Sequence, residues 1–126
     1  MSKYKFWNVN PEHLLENDCV TRAITEATGL TYYQVQEKLF YIGKLLECDS
    51  VCLCCYSFLL DNIFCFERIR RVKGMTIEEF ANIYNNGVYL VRVKQHLSVV
   101  SYGTILDIWD CSNEIITDCW KAKRIV

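Results

Sequence analysis

Charge of either sign is nearly balanced in this chain: 14 Lys and Arg against 15 Asp and Glu leave a net charge of −1. That balance excludes the electrostatic footprint of a nucleic-acid-binding protein or of one drawn to an anionic membrane. No window reaches the ~20 apolar residues that a membrane span needs. Residues 1–10 carry lysines and aromatics but no apolar segment, so no secretory signal is expected. The chain has one proline, Pro11, and two histidines, His13 and His96, with no internal repeat, linker or low-complexity tract. The expectation is a cytoplasmic protein with neither membrane nor nucleic acid as partner.

What is present is apolar and rich in thiols. Hydrophobic residues make up 52% and aromatics 13% of 126 residues, enough to bury one real core, so residues 1–126 read as a single domain. Eight cysteines in a reducing compartment are expected to stay free. Cys48, Cys52 and Cys55 recur at helical spacing, with Cys54 beside them and Cys65 further on. Zinc ligation is one reading of that group. Zinc sites usually pair two ligand knuckles, however, and free cysteine is among the most buried residue types. A buried, reduced helix face with no metal or cofactor is therefore expected. Arg68, Arg70, Arg71 and Lys73 alternate with Ile69 and Val72 and read as the solvent face of a strand.

Along the chain, residues 1–16 read as an extended arm with Tyr4, Phe6 and Trp7 packed on the domain. Pro11 begins a turn or short helix through Leu14 and Leu15. Residues 17–62 read as helical. Asn17 and Asp18 are N-cap residues for a helix that stops at Gly29, and Thr31 with Gln34 forms a capping box. Val35, Leu39, Ile42 and Leu46 then mark one apolar face. Asp49 or Ser50 caps a third segment, 51–62, apolar nearly all round and expected to be buried. Residues 66–126 are mainly strand: 66–72, 88–93, 96–101, 104–109 and 120–126, with a short helix opened by the Thr76/Glu79 capping box. Tyr102-Gly103 sits at hairpin-turn length. Helices followed by an antiparallel sheet make an α+β fold.

One group of residues suggests chemistry. Cys19 falls in the first turn of a helix, where the dipole and the unpaired N–H groups favour thiolate. His96 opens a strand and can serve as its base. If Ser101 and Thr104 flank a two-residue turn, His96 lies opposite Trp109, and Asp107 points to the same face as both. Asp107 is then the group that orients the imidazole; one extra residue in the turn would give Asp110 instead. The backbone N–H of Cys19 is a natural oxyanion donor. Asn17 could add a side-chain amide or simply cap the helix, and His13 could contribute or be an ordinary surface histidine.

Taken together, Asn17-Asp18-Cys19-x-x-Arg22-Ala23, Cys48-Asp49, Cys52-x-Cys54-Cys55-Tyr56, Gly87-Val88-Tyr89-Leu90-Val91, His96-Leu97-x-Val99-Val100 and Asp107-x-Trp109-Asp110 resemble small papain-like cysteine-peptidase proteins found largely in phage and prophage genomes. The likeness spans about residues 17–112. It implies a minimal papain-like fold with Cys19 as nucleophile, His96 as base and Asp107 as orienter. Two positions differ from larger papain-like peptidases: His13 stands for a glutamine and Gln95 for a glycine. Two functions compete. One is a cysteine hydrolase cleaving a peptide, isopeptide or other amide bond through a thioester. The other is an inactive papain-fold protein that binds and inhibits a host defence factor. A zinc-stabilised adaptor built on Cys48 to Cys55 is a third. Substrate and oligomeric state, monomer or homodimer, are left open, with Trp7 and Trp120 as candidate interface residues.

Overall fold

Both capping boxes form. The Thr31 and Thr76 hydroxyls each accept the N–H three residues on at 3.1 Å, and the Gln34 and Glu79 side chains each accept the threonine N–H at 2.9 Å. They open α2 (Tyr32–Leu46) and α4 (Ile77–Ile83). Ahead of them, α1 (Cys19–Thr28) begins at Cys19 and stops at Gly29, whose φ of 81° suits glycine. The short α3 (Leu53–Phe58) runs directly into a π-helical turn, Leu59–Ile63. The strands are β1 (Tyr4–Phe6), β2 (Glu67–Arg68), β3 (Val88–Val93), β4 (His96–Ser101), β5 (Thr104–Asp107) and β6 (Ile116–Ala122). The computed structural model describes residues 3–126, and among these no helix is long and apolar enough to cross a membrane.

The strands form one six-stranded sheet in the order β1-β5-β4-β3-β6-β2. The class is α+β, but the sheet is mixed rather than antiparallel, because β1 pairs parallel with β5. Of the arm expected at residues 1–16, Tyr4–Phe6 form an edge strand, and residues 1–2 lie outside the described residues: Ile105 N–H donates to the Lys3 carbonyl at 2.8 Å and Trp7 N–H to the Asp107 carbonyl at 2.9 Å. Pairing uses the backbone groups that the outer edge of β5 would otherwise leave open. Tyr4 packs on the core, whereas Phe6 and Trp7 stay largely exposed.

Alternation along the strands gives the sheet two apolar faces. On one, Leu90, Leu97, Val99 and Trp120 pack against Val20 and Ile24 of α1, Val35 and Leu39 of α2, and Leu59 and Leu60. On the other, Tyr89, Val91, Val100, Ile105 and Cys119 pack against Phe80 of α4.

Several boundaries move, each for a local reason. The strand expected at 66–72 shrinks to β2, because Arg68 turns inward to Asp61 and Asp118, both at 3.1 Å, and lies 4.4 Å over the Trp120 ring. Arg70, Arg71 and Lys73 remain exposed. The last strand lies four residues earlier than expected, since Arg68 and Arg92 both pair with Asp118 within it. Residues 123–126 instead close the end of α1, with the Ile125 and Val126 N–H groups on the Thr28 carbonyl. Trp120, a candidate interface residue in the sequence, is fully buried and donates to Asp61 at 2.8 Å. Segment 51–62 buries only one face, through Cys55, Tyr56, Leu59 and Leu60. Asp49 does not cap it: its carboxylate accepts Val51 N–H and Cys52 becomes the N-cap. Residues 11–15 make a turn, not a helix, and leave Leu14 and Leu15 exposed.

The β4–β5 hairpin has the anticipated register, with Ser101 opposite Thr104 and Val99 opposite Leu106. Tyr102 and Gly103 both take positive φ, 48° and 81°, as a type I′ turn requires. A Cβ on Gly103 would meet the Ala81 carbonyl and Asn85 Cβ at 3.2 Å. Gly103→Ala should therefore destabilise the protein by about 1–2 kcal/mol. The check is a lower urea midpoint at unchanged m-value; an unchanged midpoint would mean that the turn does not set this register.

Candidate active site

Helix α1 delivers Cys19 from one side of the sheet and β4 delivers His96 from the start of a strand. The Cys19 thiol is buried beside the His96 imidazole and the Leu97 backbone N–H, both close enough to lower its pKa. His96 Nε2 lies 2.6 Å from Asp107 Oδ2. With Nε2 held by that carboxylate, Nδ1 is the ring nitrogen left to serve the thiol. The Trp109 ring meets the imidazole edge to face, centroids 4.8 Å apart, and fixes its plane.

Asp107 ends β5 because its carboxylate is occupied on every side. Oδ2 accepts from Ser98 Oγ at 2.7 Å in addition to His96. Oδ1 accepts from Ile108 N–H at 2.7 Å, from Trp109 N–H at 3.4 Å and from Arg22 at 3.2 Å. Capping these amides stops the strand two residues short of the expected 104–109. The alternative orienter, Asp110, is exposed and accepts the backbone N–H and hydroxyl of Ser112. The hairpin register thus brings Asp107, not Asp110, to the imidazole.

Burial opposes charge on each of these groups, and partners outweigh it. The Cys19 thiol is held below its ordinary value, because the hydrogen bonds from His96 and Leu97 N–H and the charges of His96 and Arg22 overcome desolvation. His96 is likewise penalised by burial but is lifted to about 9 by its hydrogen bonds to Asp107 and Cys19. Asp107 stays below the usual carboxylate range despite its burial, again through His96, Ser98 and Arg22. Both shifts favour a thiolate–imidazolium pair over the neutral one. The two members pull in opposite directions with pH. The stabilisation from His96 is complete below its unfolded value of 6.5 and is lost as pH rises through about 9. That from Cys19 is complete above its unfolded value of 9.0 and is lost as pH falls through its lower folded value.

A second tier of residues was given no part in the site by the sequence reading. Arg22, one helical turn after Asp18, has a nearly buried guanidinium that bridges Asp18 at 2.5 Å and Asp107 at 3.2 Å. Asp18 occupies the N-cap position but makes no side-chain cap; its other oxygen accepts Asn10 Nδ2 at 2.9 Å and Tyr32 Oη at 2.8 Å. The i, i+4 spacing of Asp18 and Arg22 was the available signal. Tyr56 of α3 is buried beside Arg92 and Cys19, and burial drives its hydroxyl well above the usual phenol value.

The remaining candidates sit apart from the thiol. Asn17 is exposed and lines a cavity of about 220 Å³ with Asp18, Tyr32, Gln36 and Ser50. His13 is exposed in the arm, and Gln95 is exposed in the β3–β4 turn. The backbone N–H of Cys19 is among the first four of α1, which have no helical acceptor. The space at Cys19 itself is narrow, about 10 Å³ between Trp7, Val9, Arg22, Ala23 and Leu97. A groove of about 540 Å³ runs between α2 and the π-helical turn and contains none of these residues. His96, Asp107 and Cys111 come close enough to share a metal ion. Ser98, Arg22 and two backbone amides already fill Asp107, however, so these atoms form a hydrogen-bonded set.

Comparison of the chain with protein-family models, curated proteins and solved structures gives no match.

Two outcomes are expected from this network. Arg22→Met leaves two buried carboxylates without their cation and should cost about 3–5 kcal/mol at pH 7. Asp18 and Asp107 are both held below the usual range, so their stabilisation is present above about pH 4 and lost on acidification. The gap between native protein and variant should accordingly narrow below that pH in urea titrations; a gap of under 1 kcal/mol at pH 7 would contradict the assigned role. Separately, the pH midpoint of the iodoacetamide rate at Cys19 should lie below the ordinary thiol value of about 8.5, and His96→Ala should move it up toward that value. A native profile already centred near 8.5 would rule out the ion pair.

Proposed function

We propose that this chain is a papain-like cysteine hydrolase that cleaves a peptide, isopeptide or other amide bond. The observation that carries the reading is the His96 imidazole, pinned at Nε2 by Asp107 and facing the thiol at the N-terminus of α1. A thiolate, a base and a group that fixes the base's tautomer are the three parts nucleophilic catalysis needs. The Cys19 thiolate attacks the carbonyl carbon, and the C=O electron pair moves onto oxygen. The Cys19 backbone N–H stabilises that oxyanion. As the C–N bond breaks, the His96 imidazolium gives its proton to the departing amine, leaving a thioester on Cys19. Neutral His96 then takes a proton from water, whose oxygen attacks the thioester, and the thiolate leaves. Asp107 stays ionised throughout and stabilises the imidazolium. The proposed setting is the cytoplasm, of the host if the chain is phage-encoded, with a peptide or protein as substrate.

The narrow space at Cys19 favours a second reading, in which the papain-like scaffold binds and inhibits a host factor without turnover. The triad variants separate the two. For a hydrolase, Cys19→Ala should abolish turnover, His96→Ala should act almost as strongly, and Asp107→Asn should lower the rate less than either. Turnover is read with fluorogenic amide and ubiquitin-like isopeptide substrates, and function with whatever cellular phenotype expression produces. Full cellular activity of the Cys19→Ala protein would decide for the inhibitor.

A further inference from the structure

The thiols expected to line one face of a core helix are arranged differently. Cys48 lies in the loop after α2, Cys52 is the N-cap of α3, and Cys54 follows in its first turn. Only Cys55 is buried; it turns away and donates to the Leu39 carbonyl at 3.3 Å. Cys48 and Cys52 are half-buried and Cys54 is exposed.

The backbone brings these three together by a built turn. Glu47 takes a left-handed conformation, φ 54°, and the Gly43 carbonyl accepts the N–H of both Glu47 and Cys48. Gly43 makes this return feasible, since a Cβ there would lie 2.9 Å from the Cys48 carbonyl oxygen. The Asp49 carboxylate accepts Val51 N–H at 3.1 Å, and its carbonyl accepts Cys52 N–H at 3.1 Å. Each step fixes backbone, so the thiols are gathered before any ligand arrives. Their three sulfurs lie within 4.8 Å of one another, with Cys52 and Cys54 2.8 Å apart.

We propose that Cys48, Cys52 and Cys54 form a zinc-binding site, with solvent completing the coordination. Zn–S bonds of ~2.3 Å in tetrahedral geometry place ligand sulfurs ~3.8 Å apart, so the Cys52 and Cys54 sulfurs, 2.8 Å apart, separate by about 1 Å on binding. Three thiolates and no carboxylate or imidazole make a soft donor set, which selects zinc over magnesium or calcium. On binding, each thiol gives its proton to solvent and its electron pair to the ion. The exposed Cys54 provides the entry path. The ion joins the end of α2 to the start of α3, the helix that carries Cys55 and Tyr56 into the core next to Cys19.

The full chain, reduced and freed of metal by a chelator, is titrated anaerobically with zinc and, as a spectroscopic stand-in, with cobalt(II). One ion per chain is expected, with thiolate-to-cobalt charge transfer, tetrahedral d–d bands and a raised thermal midpoint. Cys54→Ser removes an exposed ligand with little risk to folding and should weaken zinc binding by about a hundredfold or more. Cys65→Ser, an exposed thiol outside the trio, should leave it unchanged. Circular dichroism verifies the fold of both variants. A stoichiometry near zero, a cobalt spectrum without thiolate charge transfer, or equal affinity for native and Cys54→Ser protein would overturn the site. So would a Cys52–Cys54 disulfide found by mass spectrometry in the anaerobic, reduced preparation.

Discussion

The carboxylate of Asp107 is the constraint on which the candidate site rests. It is 2% exposed and ionised, and it sits at the meeting point of α1, β4 and the end of β5. An unpaired charge at that depth would be prohibitively costly, so the fold must supply donors from several directions at once. His96 and Ser98 come from the neighbouring strand, Arg22 from the helix, and Ile108 from the carboxylate's own turn. Satisfying this one group fixes the imidazole ring, ends β5, and ties α1 to the sheet.

Arg22 extends that tie beyond the sheet. By bridging Asp107 and Asp18 it links the helix that carries Cys19 to Tyr32 at the start of α2 and to Asn10 in the arm. The Asn10 carboxamide oxygen in turn accepts Glu12 N–H at 2.9 Å and shapes the loop that leads into Cys19. Replacing such a network by apolar residues can be neutral for stability, so its retention says more about geometry than about energy. What it secures is the position of the helix N-terminus relative to the imidazole.

The sequence disclosed the parts governed by short-range rules. Capping boxes at Thr31 and Thr76, the Gly29 stop and the Tyr102-Gly103 turn are local signals, and all four appear. Strand parity across that turn then singled out Asp107, because side chains alternate with period two. Long-range pairings left no such trace. The polar residues of β6 gave no strand signal, since what makes Asp118 tolerable is Arg68 and Arg92 brought from elsewhere. The parallel addition of β1, from an arm with no alternating pattern, was equally illegible. In the thiol segment, helical spacing misled: a left-handed Glu47 breaks the helix between α2 and α3, so i, i+4 no longer describes a face.

Separation along the chain has a consequence in time. Cys19 is made roughly 80 residues before His96 and still earlier than Asp107, which at ribosomal rates is a delay of several seconds. Until the β3–β4–β5 meander exists, the thiol has neither the imidazole nor the Leu97 amide that lowers its pKa, and it behaves as an ordinary, largely protonated cysteine. Edge strand β1 can dock only on a finished β5, so the first segment synthesised is among the last to settle. The nascent chain therefore carries Cys19 as an ordinary thiol, and the lowering of its pKa coincides with completion of the sheet.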